Sequence, residues 1–193
     1  MNNPNTQLRD LIHVERGIIP DNLCDHIIKD IETREWEPHT WYNNMTKTSG
    51  SEETMELDVQ PITQELQQLL TPIMIQACGA YNNKYAYPCE RTSQIMNMFS
   101  GIRFNRYSSG QIMRQHHDHI HSLFDGNEKG IPVLSFILNL NDDYEGADLY
   151  FWKDYIVKLG KGDIIMFPSN WLFPHGVTEA TKGVRYSGSV WGW

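Results

Sequence analysis

The chain has 193 residues, 40% of them hydrophobic and 21% charged, with a net charge of −8 and a pI of about 5.4. This composition predicts one globular domain, and the acidic balance disfavours a general nucleic-acid binder, which normally presents a basic face. No apolar run approaches the roughly 20 residues that span a bilayer, and the polar start MNNPNTQLRD lacks the apolar region of a secretory signal. We therefore expect a cytoplasmic protein without nucleic-acid or membrane partners.

Cysteine usage agrees with this expectation. Cys24, Cys78 and Cys89 are widely spaced and odd in number, and no CxxC pair is present. Without a secretory signal, such cysteines are more commonly free thiols than a disulfide framework. We therefore interpret all three as free thiols in a reducing compartment and disfavour a zinc ribbon.

Two amphipathic helices are predicted in the N-terminal half. Pro20 and Asp21 mark the start of the first, whose apolar residues share one face at helical spacing. The second starts at Ile62, and we expect it to be kinked or to restart at Pro72, because proline removes a helical hydrogen bond. A short strand over residues 11–15 (LIHVE) precedes both helices.

The segment between these helices contains a small, polar and acidic stretch, TSGSEETMELD, at residues 48–58. Such a composition is typical of a surface loop, and we predict that this loop is mobile. It is a candidate lid over a substrate site, although a solvated linker fits the pattern equally well. Both interpretations remain open at the level of the sequence.

From residue 94 onward the chain changes to short β-branched and aromatic segments. Turn signals such as SSG, NEKGIP and LGKGD separate them, a pattern typical of an all-β sandwich or barrel. We predict a mainly β (α+β) fold in which the two N-terminal helices support a C-terminal double-sheet barrel. The expected division is a helical support region at residues 1–93 and a barrel core at residues 94–193, which together form one structural unit.

The stretch RQHHDHIH at residues 114–121 concentrates four histidines and one aspartate. Histidine is the commonest metal ligand among side chains. Because side chains alternate across a strand, His116 and Asp118 point to one face, whereas the neighbouring histidines point to the other. Two histidines and one carboxylate on one face of an octahedron bind Fe(II) and leave positions open. The candidate for the second histidine is His175, the only histidine after His121.

Other interpretations of these histidines remain open from the residues alone. An HxD pair is common by chance, and a zinc-like pair of His117 and His119 competes with it. The remaining histidines we interpret as surface or hydrogen-bonded side chains: His13, His26, His39 and His121.

A longer pattern surrounds the HxD pair. The segment RYSSGQIMRQHHD, residues 106–118, resembles the RYxxGQxxxxHxD segment of prolyl 4-hydroxylase-like 2-oxoglutarate/Fe(II) dioxygenases. The hairpin LNLNDDYEGADLYF, the closing segment LGKGDIIMFPSNWLFPHGVTEATKGVRYSGSVW and the lead-in helix IIPDNLCDHII are similar to further segments of that family. The resemblance runs over residues 11–193 and is loose between residues 35 and 94.

The resemblance implies a double-stranded β-helix, that is, a jelly-roll or cupin-like barrel. It implies that His116, Asp118 and His175 hold Fe(II), and that Arg185 binds the distal carboxylate of the cosubstrate 2-oxoglutarate. Arginine suits this role because it is always charged and binds a carboxylate in a bidentate manner. O2 is the second cosubstrate, and ascorbate is the expected reductant.

Three further residues receive roles from the resemblance. Tyr107 would offer its hydroxyl to the same carboxylate, and Ser187, two residues after Arg185, could add a hydrogen bond. Trp191 matches a family tryptophan near the metal, and packing alone is the competing interpretation for all three residues. The other arginines of the region are interpreted as surface or substrate-side charges: Arg103, Arg106 and Arg114.

The resemblance further implies hydroxylation of a substrate C–H bond, with succinate and CO2 as co-products. The intact Asp118 favours hydroxylation over halogenation, because the related halogenases carry a small residue there. A peptidyl residue, with proline first, is the leading substrate, although prolyl 4-hydroxylases usually carry lysine where this chain has Arg185. The alternatives are a hydroxylase of a free amino acid or small metabolite, a nucleic-acid demethylase, which the net charge of −8 disfavours, and a non-catalytic metal-binding jelly roll.

Overall fold

The computed structural model describes residues 7–43, 48–50, 56–86, 95–96, 98–118 and 131–193. A 3-10 helix, Leu8–Leu11, precedes the two α-helices, α1 (Asp21–Ile31) and α2 (Gln64–Tyr85). The strands, in chain order, are β1 (His13–Glu15), β2 (Glu37–Pro38), β3 (Trp41–Asn43), β4 (Thr48–Gly50), β5 (Asp58–Pro61), β6 (Arg103–Tyr107), β7 (Met113–His116), β8 (Leu134–Asn139), β9 (Glu145–Gly146), β10 (Leu149–Phe151), β11 (Tyr155–Val157), β12 (Ile164–Pro168), β13 (His175–Val177), β14 (Ala180–Lys182) and β15 (Arg185–Gly192). None of the helices in this part of the chain combines the length and the apolar character needed to cross a membrane.

Helix α1 begins where the sequence predicts it. Pro20 is the N-cap residue, and Asp21 stands in the first turn, where a negative charge interacts favourably with the helix dipole. Cys24, Ile27 and Ile31 form the buried face of the helix. These three side chains belong to the core that the helices share with the largest sheet.

Helix α2 runs as one helix through Pro72, so of the two predicted outcomes the restart is wrong, and the kink stays a prediction. The Thr63 side chain caps the helix, because it accepts a hydrogen bond from the backbone N–H of Leu66 at 3.3 Å. Pro72 removes one backbone donor but lies on the exposed face, and tertiary packing of the opposite face outweighs that loss. The buried face continues on both sides of the proline: Leu66, Leu70, Met74, Ala77 and Tyr81.

Two larger antiparallel sheets form the body of the β domain, and two two-stranded sheets, β9 with β14 and β3 with β4, accompany them within the described residues. The main sheet has seven strands in the order β1-β12-β8-β15-β6-β5-β2, and the second has four in the order β11-β10-β13-β7. Strands β1, β2 and β5 come from the N-terminal part of the chain. This part therefore contributes strands as well as helices to the fold.

Alternation along the strands of the main sheet separates two cores. Leu134 and Leu138 of β8 pack with residues of α1 and α2, so the helices cover one face of the main sheet. The other face meets the second sheet, where Phe167 of β12 packs edge-on against Phe151 of β10 with ring centroids 4.8 Å apart. The predicted double-sheet barrel with two supporting helices is therefore confirmed.

The predicted mobile loop over residues 48–58 is structured at both ends. Strand β4 pairs with β3 in a hairpin, and Asp58 begins strand β5 of the main sheet. Leu57 is fully buried in the core between the sheets. The prediction of a loop is wrong at these ends, because strand pairing and burial outweigh the polar composition there. Residues 51–55 lie outside the described residues.

Candidate active site

Two of the predicted ligand residues stand side by side on the four-stranded sheet. His116 is the last residue of β7 and His175 is the first residue of β13, and the two are direct partners in the antiparallel register. Their ring centroids are 4.5 Å apart. Because paired strands form a rigid support, they fix the spacing of the two imidazoles.

Each imidazole is oriented by a backbone carbonyl two residues earlier. Nδ1 of His116 lies 2.8 Å from the carbonyl oxygen of Arg114, and Nδ1 of His175 lies 3.0 Å from that of Phe173. A carbonyl oxygen only accepts hydrogen bonds, so each Nδ1 carries the proton and donates it. In the neutral ring each Nε2 then carries the lone pair, which is the form in which imidazole binds a metal.

Asp118 completes the cluster from a bend just beyond β7. Its carboxylate oxygens lie 3.5 Å from Nε2 of His116 and 3.6 Å from Nε2 of His175. One ligand atom from each of the three residues lies within 4.8 Å of the others. The structure therefore brings the three predicted residues together. Asp118 follows the strand rather than belonging to it, so strand alternation alone does not account for its direction.

The surroundings of Asp118 keep its carboxylate ionised. Burial by itself would raise the pKa of Asp118. The positive charge of the His175 and His116 imidazoles in their protonated forms, with hydrogen bonds from His116 and Ser135, outweighs burial and holds that pKa well below its usual range. Burial lowers the pKa of His175, which favours the neutral imidazole. An ionised carboxylate and a neutral imidazole are the protonation states that a metal ion requires.

Sequence reasoning missed two hydroxyl groups behind this carboxylate. Ser135 of β8 donates from Oγ to Oδ2 of Asp118 at 2.6 Å, and its Oγ also lies 2.7 Å from Oγ of Ser169, just after β12. Both serines are buried. A signal for Ser135 exists, since it is a single small hydroxyl residue in the apolar run VLSFIL. We find no comparable signal for Ser169.

This set of donors fits a divalent iron site. Two neutral imidazole nitrogens and one carboxylate are the combination that binds Fe(II) in non-heme oxygenases and leaves coordination positions open. Metal-binding histidines commonly donate their other ring N–H to a carbonyl, and metal-binding carboxylates are commonly hydrogen-bonded in turn, as here. His116, Asp118 and His175 could therefore hold the metal.

Arg185 is fixed at the start of strand β15 by two hydrogen bonds. It is 1% exposed, donates from Nε to Oδ1 of Asn139 at 3.0 Å, and donates from one Nη to the carbonyl oxygen of Ala147 at 3.0 Å. Sequence reasoning missed Asn139, although it stands as a polar residue at the end of an apolar run, as Ser135 stands within it. Both residues lie on the face of β8 that points into the barrel.

Tyr107 of β6 stands directly opposite Arg185 in the sheet register. The guanidinium carbon lies 5.5 Å from the centroid of the tyrosine ring. Burial raises the pKa of the Tyr107 hydroxyl, although Arg185 acts in the opposite direction. Tyr107 lines the cavity that contains His116, Asp118 and His175, which we call the triad cavity. Arg185 lines a second cavity, and Leu149 belongs to both.

The two remaining predicted residues differ in their position. Ser187 is buried between Asn105 and Asn139 in the sheet register and does not line the triad cavity. Trp191 does line this cavity, as does Ser189, which was not predicted. Contact with the cosubstrate or the metal stays a prediction for both Ser187 and Trp191.

The competing pair of His117 and His119 falls partly outside the described residues. His117 is exposed, whereas His119 and His121 lie outside the described residues. His39 is buried, and its Nδ1 lies 3.1 Å from Oε2 of Glu56. The interpretation of His39 as a hydrogen-bonded side chain is therefore confirmed.

The C-terminal half of the chain matches a family model. Residues 102–193 match the model of the 2OG-Fe(II) oxygenase superfamily. The chain is also 34% identical over 94 residues to a PKHD-type hydroxylase of Stenotrophomonas maltophilia, a match that covers 46% of this chain and 41% of that protein. The chain thus spans about two fifths of the length of the curated relatives it matches.

Solved structures share the fold over nearly the whole chain. A Pseudomonas putida prolyl-4-hydroxylase has a TM-score of 0.65 at 20% identity, covering 94% of this chain and 91% of that one. A Trichoplax adhaerens prolyl hydroxylase, in complex with a hypoxia inducible factor peptide fragment, has a TM-score of 0.68 at 11% identity, covering 95% and 83%. These likenesses confirm the predicted double-stranded β-helix. Residues 102–193, a little under half of the chain, thus resemble the 2OG-Fe(II) oxygenase superfamily, and the solved structures share the fold of the whole chain.

Proposed function

We propose that this chain is a 2-oxoglutarate- and Fe(II)-dependent dioxygenase that hydroxylates a C–H bond of its substrate. The observation that carries this proposal is the cluster of the His116 and His175 imidazoles with the carboxylate of Asp118, in which one ligand atom of each residue lies within 4.8 Å of the others. In the overall reaction, one substrate C–H, one O2 and one 2-oxoglutarate give the hydroxylated product, one succinate and one CO2. Ascorbate is the expected reductant that keeps the metal in its divalent state.

His116, Asp118 and His175 would hold the iron. When bound, Fe(II) supplies the redox chemistry that couples O2 to the decarboxylation of 2-oxoglutarate. The chain supplies the fixed ligands and a wall that keeps water away from them. Phe167 and Phe151 form part of this wall, with ring centroids 4.7 Å and 5.7 Å from that of His175.

Arg185 and Tyr107 would bind the distal carboxylate of 2-oxoglutarate. A guanidinium has five N–H donors, and Asn139 and Ala147 occupy two of them, which leaves donors for a carboxylate. The raised pKa of Tyr107, a consequence of its burial, keeps its hydroxyl protonated so that it too can donate. Ser187, on the strand that carries Arg185, would add a further hydrogen bond, and Trp191 would stand near the metal.

A peptidyl residue, with proline as the first candidate, is the substrate we propose. The similarity to a PKHD-type hydroxylase and to prolyl hydroxylases, one of them solved with a bound peptide, supports this choice. A free amino acid or another small metabolite is the second candidate. The observation that favours it is Arg185, which stands where prolyl 4-hydroxylases usually carry lysine.

The direct test is succinate formation by the purified protein with Fe(II), 2-oxoglutarate and ascorbate. Peptides rich in proline, lysine or asparagine are compared with free amino acids, and mass spectrometry of each added compound detects a gain of one oxygen atom. The His175→Ala variant and a chelator serve as controls. The proposal fails if the wild-type protein forms no O2-dependent succinate, with or without any of these compounds.

A further inference from the structure

Arg103 is a basic residue that the proposed reaction does not use, although it lies in the triad cavity. It is the first residue of β6 and lines this cavity together with His116, Asp118 and His175. Strand alternation places it on the same face of β6 as Tyr107. Of the two interpretations of Arg103 from the sequence, a surface charge or a substrate-side charge, this position favours the second.

Two uncharged side chains, those of Asn105 and Trp191, contact the guanidinium of Arg103. Its Nε donates to Oδ1 of Asn105 at 3.1 Å, and its guanidinium carbon lies 5.3 Å from the centroid of a ring of Trp191. Within the described residues, no carboxylate lies within ion-pair distance of Arg103, although the charge of Asp118 in the same cavity acts on its guanidinium. Nε makes the one side-chain hydrogen bond of Arg103 in this part of the chain. The side chain is partly buried, and burial lowers the pKa of its guanidinium, although arginine keeps its charge at neutral pH.

The next arginine along β6 behaves differently. Arg106 points to the opposite face of the strand and pairs with Asp58, whose Oδ2 lies 3.0 Å from one of its terminal nitrogens. Desolvating a cation is costly unless a partner compensates for the lost water, and Arg103 lacks the close carboxylate that Arg106 has. Arg106 has a carboxylate partner within the chain, whereas Arg103 has donors left for an anionic group from outside the chain.

Arg103, which lines the triad cavity, and Arg185, which lines the second cavity, lie at opposite ends of one face of the main sheet. In the register of β6 and β15, Arg185 pairs with Tyr107, and Arg103 pairs with Ser189. Four residues along β15 separate Arg185 from Ser189, which corresponds to about 13 Å in a strand. The two side chains are therefore anchored at opposite ends of this face, with the Tyr107 hydroxyl under the charge of both. We assign Arg185 to the distal carboxylate of 2-oxoglutarate and Arg103 to a second carboxylate.

We propose that Arg103, oriented by Asn105 and Trp191, binds a carboxylate of the substrate and so positions the substrate C–H beside the metal ligands. This inference rests on the proposed function, and it adds a substrate class to it. A carboxylate matches the planar guanidinium in a bidentate manner. The substrate would carry it either as the α-carboxylate of a free amino acid or as an acidic side chain next to the target residue of a peptide.

Matched pairs of probes test this assignment. One pair is L-proline and L-prolinamide, and the other is a short peptide with Pro-Asp and the same peptide with Pro-Asn. Isothermal titration calorimetry measures the binding of each probe to the wild-type protein loaded with Fe(II) and 2-oxoglutarate in the absence of O2. We expect at least one carboxylate probe to bind ten or more times as tightly as its amide partner. The pair that shows the preference distinguishes the two sources of the carboxylate.

Variants then assign that preference to Arg103. Arg103→Gln should abolish it, and Arg103→Lys, which keeps the charge and loses the planar fork, should retain part of it. Arg106→Gln is the matched control on the same strand and should keep the full preference. The apparent affinity for 2-oxoglutarate should stay within about twofold of wild type in all three variants.

Three results would overturn the inference. In the first, neither carboxylate probe binds more tightly than its amide, including the case in which no probe binds. In the second, Arg103→Gln and Arg103→Lys both keep the wild-type preference. In the third, the loss of Arg103 weakens the binding of 2-oxoglutarate rather than the binding of the carboxylate probe, which would assign the residue to the cosubstrate. A wild-type protein that forms no succinate refutes the proposed function instead, and that measurement is separate from the binding data.

Discussion

His116 and His175 face each other across two paired strands, although they lie 59 positions apart in the sequence. The backbone of the sheet therefore sets the spacing of the two imidazoles, which are the candidate nitrogen ligands of the proposed metal site. Asp118 is different, since it stands in a bend after β7 and accepts a hydrogen bond from Ser135 of another strand. The paired strands hold the two imidazoles, whereas the bend and its hydrogen bond hold the carboxylate, and substitutions can test each part separately.

Replacement of the carboxylate should abolish the reaction. Asp118→Ala leaves the two imidazoles on their strands but removes the only charged ligand, so we expect no substrate-dependent succinate formation. Iron affinity should fall by more than the roughly 10–100-fold that the loss of a supporting contact costs. Asp154→Ala, a change to an exposed aspartate, is the control for both measurements. Turnover close to wild type in Asp118→Ala would exclude this residue from the site.

Loss of the hydroxyl behind the carboxylate should weaken the site without destroying it. Ser135→Ala removes the hydrogen bond to Asp118 and should lower iron affinity about 10–100-fold. Ser169→Ala removes only the next hydroxyl, so its effect should be smaller. Iron binding, measured by competition with a chelator of known affinity, ranks the variants. Equal affinity in Ser135→Ala and wild type would mean that the bend alone orients the carboxylate.

Arg185 should control the affinity for 2-oxoglutarate and leave the metal unaffected. Arg185→Ala removes a charge-assisted pair, and we expect the KM for 2-oxoglutarate to rise by about 100-fold or more. Asn139→Ala keeps the charge of Arg185 but removes the acceptor of its Nε hydrogen bond, so we expect a smaller rise in the KM for 2-oxoglutarate. Iron affinity should stay near the wild-type value in both variants.

The control for these variants is another cation on the same cavity. Lys158→Ala removes an exposed lysine that pairs with Asp148 and lines the cavity of Arg185. Its KM for 2-oxoglutarate should match that of the wild type. An unchanged KM in Arg185→Ala would mean that a different basic residue binds the cosubstrate.

The ligand residues are predictable from the sequence because they belong to a compact motif. His116 and Asp118 stand two residues apart, and His175 is the only histidine after His121, so few other combinations exist. Ser135 and Asn139 are not predictable in the same way. Each is one polar residue in an apolar strand, and its partner is set by how β8 lies against the bend after β7 and against β15.

Parts of the fold depend on similar long-range effects. The polar composition around residue 58 indicates a loop, but pairing of β5 with β6 makes a strand there. Pro72 indicates a break, but the buried residues on either side of it keep α2 continuous. The direction of Arg103 was also left open, because the start of β6 decides which face it occupies. In each case a contact distant in sequence outweighs a local preference.

Removal of the proline should stabilise the protein. Pro72→Ala restores the backbone donor of an exposed helical position and improves helix propensity, so the free energy of unfolding should rise by about 1–3 kcal/mol. The loss of proline's rigidity in the unfolded chain offsets part of this gain. Urea unfolding gives the value, and Gln76→Ala, at another exposed position of α2, should change it by less than about 0.5 kcal/mol. A destabilised Pro72→Ala variant would show that the proline contributes packing.

The buried thiol of Cys24 should make stability depend on pH in the alkaline range. Burial raises the pKa of this thiol from 9.0 to about 11, so the unfolded chain loses the proton at a lower pH than the folded one. Stability is therefore fully present below pH 9 and should fall, by on the order of 2 kcal/mol, as the pH approaches 11. Cys24→Ala cannot titrate, and its stability should decline less over this interval. Parallel declines in the two proteins would attribute the pH dependence to other groups, such as Tyr186, whose pKa burial raises to about 12.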